Sequence, residues 1–261
     1  MKTMRRYIII LMAMVGMITT SCKTESGTMY LEPIDIGFQI AGEAHKVMCQ
    51  TNEIIAIALL ADVYLSTEDV EERTNIADYL KDRLQWRIER NYDNTKIMVF
   101  NINSGTLDYS FTLQGGLLSE GGTWHLGESF NATYIPTAEG IEVSIIIPDA
   151  NFSSEANFVI GDTTYSIEDQ LSYTMNGTMT LQYNAIGTHL TINITEPLCF
   201  STATNHKANN YDNRIIGFYD GTMEVIYFDA ETGITDNVGL EHLNSDYAVV
   251  SYLGEVGRMT K

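Results

Sequence analysis

The residues after Thr95 alternate between short strand-like runs and turn residues, and this pattern limits the fold more than any other feature. The runs are rich in Val, Ile, Thr, Tyr and Phe, and Gly, Asn or Asp residues separate them at intervals of about 8 to 12 residues. Such short connections join antiparallel neighbours, because parallel strands need a longer crossover. We therefore predict an antiparallel meander or sandwich over residues 95–254, with a partly closed barrel as the alternative.

Twelve segments carry the strand pattern: 96–102, 106–113, 128–134, 141–147, 157–160, 163–167, 171–175, 178–183, 189–195, 215–219, 222–228 and 246–253. Two Xaa-Gly dipeptides, Asn176-Gly177 and Asp220-Gly221, each separate a pair of these segments. Because such dipeptides are preferred in two-residue hairpin turns, each predicts a hairpin.

Upstream of the strands, the apolar residues recur at helical spacing from about residue 38 to residue 65. The segment 54–65 is apolar nearly all round, which predicts burial on several sides. Its apolar core of about ten residues is too short to cross a membrane.

A second helix is predicted after Ser66 and Thr67, which are good N-caps. Four acidic residues within 68–72 would lie at the positive end of that helix. The two helices predict an N-terminal helical hairpin over about 38–84, while 85–90 fits both helix and strand. The fold class is therefore α+β, a single domain over 37–261 with the hairpin packed on the antiparallel sheet.

The first 22 residues have the plan of an export signal. Lys2, Arg5 and Arg6 precede an apolar run over 7–18, and residues 19–21 are small. An apolar run of about 12 residues is too short to span the hydrocarbon core as a helix. We therefore predict a signal peptide over residues 1–21.

Residues 19–22, Thr-Thr-Ser-Cys, resemble the lipobox of bacterial lipoproteins of the Bacteroidetes type. Ser21 fits the third position of that box, and Thr19 stands where Leu is usual. The resemblance implies cleavage before Cys22, acyl chains on that residue and a location in the bacterial cell envelope, as an outer-membrane lipoprotein on the surface or periplasmic face. The polar residues 22–36 would then form the tether.

The charge of the chain excludes several partners. Its formal net charge is -19, and removing residues 1–21 takes away three of the 15 basic residues and none of the 34 acidic ones, which gives -22. A field of this sign repels phosphate backbones and anionic headgroups. We therefore expect no nucleic-acid partner, and membrane attachment only through the lipid at Cys22.

Local signatures of catalysis and metal binding are missing from the sequence. G-x-S-x-G, C-x-x-C, H-x-x-x-H and H-E-x-x-H do not occur, and the five histidines are scattered singly. We nominate no catalytic residue, no metal ligand and no cofactor. Catalytic groups assembled only by the fold stay open, because triads and carboxylate pairs need no local motif. Cys49 and Cys199 are interpreted as buried free thiols, with a disulfide as the alternative.

The stretch 201–214 is the most informative polar segment, because fourteen residues without an aliphatic side chain larger than alanine exceed most connections. It could offer amide, imidazole and aromatic groups to a carbohydrate or a protein. The candidate ligand contacts are Asn205, His206, Asn209, Asn210, Tyr211 and, outside this stretch, Trp124. A solvated loop is the competing interpretation.

The segment 229–236 alternates oxygen-bearing side chains in a way that suggests calcium, but it misses the spacing of an EF-hand loop. A hairpin with Gly233 in the left-handed conformation explains the segment equally well. Taken together, the sequence predicts a lipid-anchored binding or assembly module with a glycan or protein partner. The alternatives are a surface hydrolase acting on glycan or peptide, and an envelope structural subunit.

Overall fold

The computed structural model describes residues 32–83, 86–87, 96–102, 109–114, 129–148, 152–166, 170–183, 186–202, 217–244 and 246–261. Two helices come first, α1 (Pro33–Ser66) and α2 (Val70–Arg83). The strands are β1 (Trp86–Arg87), β2 (Lys96–Ile102), β3 (Tyr109–Gln114), β4 (Ser129–Thr137), β5 (Gly140–Pro148), β6 (Phe152–Ser166), β7 (Gln170–Tyr183), β8 (His189–Ser201), β9 (Asp220–Asp229), β10 (Ile234–His242), β11 (Tyr247–Tyr252) and β12 (Glu255–Thr260).

The strands form one sheet in which each strand pairs with its neighbours in chain order. All pairs from β2 to β12 are antiparallel, and only the two-residue β1 pairs in parallel with β2. Short connections favour such antiparallel pairs, and only two residues separate β4 from β5 and β11 from β12. The predicted α+β class and the antiparallel sheet are confirmed.

The hairpin predicted at Asn176-Gly177 is wrong. Both residues lie inside β7, where the register against β8 shifts between Met175 and Thr178, as in a β-bulge. Gly177 has a φ of 133°, and a Cβ there would collide with the carbonyl oxygen of Asn157 on β6. The glycine therefore serves a close approach of two strands within the sheet rather than a turn.

The hairpin predicted at Asp220-Gly221 is also wrong, because these residues begin β9. The turn at the other end of β9 closes the hairpin with β10, and Gly233 has a φ of 69° there. Its amide donates to the Asp229 carbonyl at 2.7 Å, and the Asp229 carboxylate accepts bonds from the Glu231 amide and the Thr232 hydroxyl. The hairpin interpretation of 229–236 is confirmed.

Helix α1 begins at Pro33, five residues before the predicted start, so residues 33–36 of the predicted tether are helical. Proline suits the first position of a helix, where its missing N–H is not needed. The Asp35 carboxylate accepts a hydrogen bond from the Glu32 amide at 3.0 Å. This bond closes the N-terminal turn of the helix.

Helix α1 crosses the strands instead of running along them. Near its start, the Phe38 ring lies over Gly257 of β12, and further along, the Thr51 hydroxyl lies 3.5 Å from the Met179 sulfur of β7. These two contacts are thirteen residues apart on the helix, about 20 Å. They are five strands apart in the sheet, about 24 Å. The two lengths agree with a helix axis steeply inclined to the strands.

Every residue from Ile54 to Ala61 is buried, so α1 is covered on all sides there, as predicted. Judged by length and composition alone, the helical segment Pro33–Tyr64 could cross a membrane, and it is the one such segment among the described residues. However, 81% of the apolar 18-residue stretch in this helix is buried inside the protein, as in the core helix of a globular domain.

Candidate functional site

The strands β9, β10 and β11 present two chemically different faces. Residues that face α1 are buried and mostly apolar, including Met223, Val225, Val238, Leu240 and Val250. The residues between them point to the opposite face, which we call the outer face. Its side chains are mainly hydroxyl, amide and carboxylate groups.

A depression of about 400 Å³ lies on the outer face, and we call it the outer groove. Its lining includes Thr222, Glu224, Asn237, Gly239 and Ser251. Gly239 lies in register between Glu224 on β9 and Ser251 on β11. The Ser251 hydroxyl oxygen lies where a Cβ at Gly239 would be, so the glycine makes room for that hydroxyl at the floor of the groove.

The rim of the outer groove combines ordered polar groups with one apolar side chain. The Thr195 hydroxyl donates to the Thr222 carbonyl at 3.2 Å, and the Thr222 hydroxyl donates to the Glu196 carboxylate at 2.8 Å. Leu253 is 70% exposed and has a φ of 50°, which is unusual for a residue other than glycine. The groove can therefore offer hydrogen bonds from fixed groups beside a small apolar surface.

Tyr247 of β11, an aromatic side chain on this face, is covered by another side chain. The guanidinium carbon of Arg258 lies 3.5 Å from the centre of its ring, a cation–π contact. Among the described residues, the groove lining contains one carboxylate, Glu224, and neither Lys, Arg nor His, while the Glu196 carboxylate lies at the rim. This chemistry suits a ligand that forms hydrogen bonds.

The other face holds a cluster of titratable side chains, His45 and Cys49 on α1 and His242 on β10. The Cys49 sulfur lies 3.4 Å from the His45 Nε2 atom, and the two imidazole rings are 5.5 Å apart. Among the described residues, neither ring nitrogen of His242 has a hydrogen-bond partner. His242 is 1% exposed, so its imidazole is buried without compensation.

Burial and a nearby ammonium keep both imidazoles neutral. Burial, and to a smaller extent Lys261, lower the pKa of His45 to about 4. Burial, Lys261 and His45 lower the pKa of His242 to about 2. The Lys261 ammonium donates to the carbonyl oxygens of Phe218 at 2.6 Å and Asn244 at 2.7 Å. These two hydrogen bonds hold Lys261 against the sheet.

No group of three or more His, Cys, Asp or Glu side chains in the described ranges is arranged to hold a metal ion. Neither Cys49 of α1, which is buried, nor Cys199 of β8, which is half-buried, forms a disulfide within the described residues. The buried position predicted for both cysteines therefore holds for Cys49 alone.

The residues that the sequence predicted for the site all fall outside the described ranges. They are Cys22, Trp124, Asn205, His206, Asn209, Asn210 and Tyr211. The structure therefore leaves these predictions as they stood. It instead draws attention to the outer groove and the histidine cluster, which sequence patterns did not reveal.

No protein-family model matches the chain, and neither the curated proteins nor the solved structures compared with it give a significant match. The geometry of the described residues is therefore the basis for any functional assignment.

Proposed function

We propose that the protein is an exported, lipid-anchored binding or assembly module of the cell envelope, and that the outer groove is its ligand site. The single observation that carries this proposal is the open polar depression around Gly239. Gly239 has no side chain, and this lets the Ser251 hydroxyl lie at the floor of the groove. Fixed hydroxyl and amide groups around such a space are suited to binding.

The chemistry of the groove favours a neutral, hydroxyl-rich ligand, such as a glycan. Asn237 and Ser251 can both donate and accept hydrogen bonds, as sugar hydroxyls do. Glu224 in the lining and the net charge of -19 both disfavour an anionic ligand. The exposed side chain of Leu253 can cover the apolar face of a sugar ring.

The hydrolase alternative receives less support from this geometry. A retaining or inverting glycosidase needs two carboxyl groups across the scissile bond. Among the described residues, Glu224 lines the groove, and the Glu196 carboxylate at the rim accepts a hydrogen bond from Thr222. The groove therefore supports binding better than hydrolysis.

A structural subunit is the second candidate, because β12 ends the sheet. The Lys261 amide donates to the Asp246 carbonyl, so residues 255, 257 and 259 also turn their amides toward β11. The backbone amides of the residues between them, Val256, Arg258 and Thr260, then point away from β11. A partner strand could pair with that edge.

The finer fold predictions belong to the same proposal. We propose that α1 and α2 form a helical hairpin, supported by the buried Ile76 of α2 and by Arg73, whose guanidinium carbon lies 5.8 Å from the centre of the Tyr64 ring. Between a sandwich and a partly closed barrel, the all-round burial of Ile54–Ala61 favours a sheet that curves around α1.

The ligand proposal is tested with the detergent-solubilised full chain on an array of neutral glycans. We expect at least one neutral glycan to bind, and Asn237→Ala to weaken that binding about tenfold. Thr180→Ala is the matched control, because Thr180 is an exposed residue on β7 outside the groove. An array without any bound glycan would contradict the proposal.

Lipid attachment is tested by mass spectrometry of the protein from the membrane fraction. We expect acyl chains on Cys22 and loss of membrane association in Cys22→Ala. An unmodified, freely soluble wild-type chain would remove the lipid from the proposal and leave the outer groove untouched.

A further inference from the structure

A second cavity lies on the opposite side of the sheet from the outer groove, between α1 and the strands β7, β8 and β9. It has a volume of about 90 Å³ and is largely enclosed. Its lining combines polar groups, Glu43, Tyr183, Thr188 and Tyr227, with the apolar side chains of Ile40 and Leu190. The space corresponds to about three water molecules at their share of liquid volume.

Glu43 brings a carboxylate into this cavity. It is 7% exposed, and one of its oxygens accepts a hydrogen bond from the Tyr183 hydroxyl at 2.8 Å. A buried carboxylate needs compensation by hydrogen bonds or by positive charge. Lys46 is the described cation whose pKa responds to Glu43, and burial, the larger effect, lowers that pKa. Lys46 does not line the cavity.

Burial is the main cause of the raised pKa values of the two tyrosines in the cavity. Glu43 adds to the effect of burial on the pKa of Tyr183. Asp229 and Asp236 add to the effect of burial on the pKa of Tyr227, which rises to about 12. Of these three carboxylates, Glu43 is the one that lines the cavity. A negative field with aromatic walls attracts cations.

We propose that this cavity binds a small organic cation, such as an alkylammonium or quaternary ammonium head group. The positive charge would be balanced by Glu43, and the rings of Tyr183 and Tyr227 would contact it. Ile40 and Leu190 would cover the alkyl groups. This site is separate from the proposed glycan groove and does not depend on it.

The lining of the cavity suits an alkylated ammonium better than a hydrated metal ion. A hydrated metal ion would need several oxygen or nitrogen ligands. In the part of the chain that the structure describes, no cluster of acidic, histidine or cysteine side chains has that arrangement. An alkylated ammonium needs fewer polar ligands and gains from apolar walls. Ile186, which is 50% exposed, also lines the cavity.

The test is isothermal titration of the detergent-solubilised full chain with methylammonium and tetramethylammonium chloride, with sodium chloride at equal ionic strength as the reference. We expect saturable binding of at least one of the two. Tetrabutylammonium has the same charge and exceeds the cavity, and tert-butanol has a similar apolar shape without charge. Both should bind about tenfold or more weakly.

Two variants locate the site. Glu43→Gln removes the charge while keeping the shape, and Tyr227→Leu removes one aromatic wall. Each should weaken ammonium binding about tenfold, while Glu224→Gln in the outer groove should leave it unchanged. A thermal melt of each variant checks folding, and the ligand controls on the wild type provide a test that needs no variant. Absence of binding for both ammonium ions, equal binding of tert-butanol, or unchanged binding in a folded Glu43→Gln would overturn the proposal.

Discussion

The two faces of the sheet differ in what their polar groups do. Toward α1, polar side chains pair with one another in the interior: the Tyr252 hydroxyl donates to Asp236 at 2.8 Å, and the Tyr173 hydroxyl donates to the side-chain carbonyl of Asn52. On the outer face, Asn237 and Ser251 line an open groove. We propose that the helix side contributes most of the stability and that the outer side binds the ligand, and matched substitutions can separate the two.

The largest expected difference in stability is between two phenylalanine-to-alanine substitutions, one on each face of the sheet. Phe200 is fully buried with its ring centre 4.9 Å from that of Tyr173, whereas Phe228 is half-buried on the outer face beside His189. We expect Phe200→Ala to lower the free energy of unfolding by about 3–5 kcal/mol. Phe228→Ala should lower it by about 1 kcal/mol or less. Urea unfolding measures both, and equal losses would break the distinction between the faces.

The second-largest expected effect is a loss of stability in acid, caused by the histidines on the helix side. His45 has its pKa lowered from 6.5 to about 4, so the unfolded chain binds more protons than the folded chain between these values. Stability is therefore present above pH 6.5 and is lost as the pH falls toward 4, by about 3 kcal/mol for His45 alone. The pKa of His242, lowered to about 2, adds to the loss in the same direction.

The variant His242→Phe tests the origin of this acid sensitivity. It keeps a ring and removes two buried nitrogens without partners, so we expect stability at pH 7.5 to be equal or higher and the acid loss to be smaller. His189→Phe is the control, because His189 is only half-buried and lies on the outer face. Urea midpoints from pH 7.5 to pH 4 check this, and an unchanged slope in His242→Phe would contradict it.

The smallest effect concerns two residues adjacent in sequence. Ser251 and Tyr252 point to opposite faces of β11. Tyr252→Phe removes the hydrogen bond to the buried Asp236 carboxylate, and we expect a loss of about 1–3 kcal/mol. Ser251→Ala should change stability by less than about 0.5 kcal/mol. Thermal melts of both variants make the comparison, and a larger loss in Ser251→Ala would reverse the assignment of the faces.

Local periodicity predicts much of this fold and little of its site. The predicted segment 96–102 coincides with β2, because its apolar pattern has no competing signal. Strand β10 was missed, because Asp236, Asn237 and Gly239 resemble a turn when read locally. Neighbouring strands supply the hydrogen bonds that make this segment a strand.

The two Xaa-Gly dipeptides show the same limit of predicting structure from local sequence patterns. Asn176-Gly177 has the composition of a hairpin turn, but β6 and β8 on either side hold it within the sheet. Local preference for a turn is weaker than the pairing of two long strands. Only the tertiary arrangement decides between the turn and the bulge.

Predicting the site residues depends even more on knowing the tertiary contacts. His45 and Cys49 have the four-residue spacing of one helix face, a signal that the sequence does contain. Nothing in the sequence places His242 beside them, because almost two hundred positions separate it from Cys49. The outer groove likewise combines side chains from four strands, and its one sequence clue is a glycine within an alternating run.

The most direct test of the central claim is glycan-array binding by Gly239→Val, measured beside the wild-type full chain. The substitution fills the floor of the outer groove and leaves the helix side untouched. We predict that the wild type binds a neutral glycan and that Gly239→Val binds it at least about tenfold more weakly, with a melting temperature within about 4 °C of the wild type. Equal binding by the folded variant would contradict a ligand site in the outer groove.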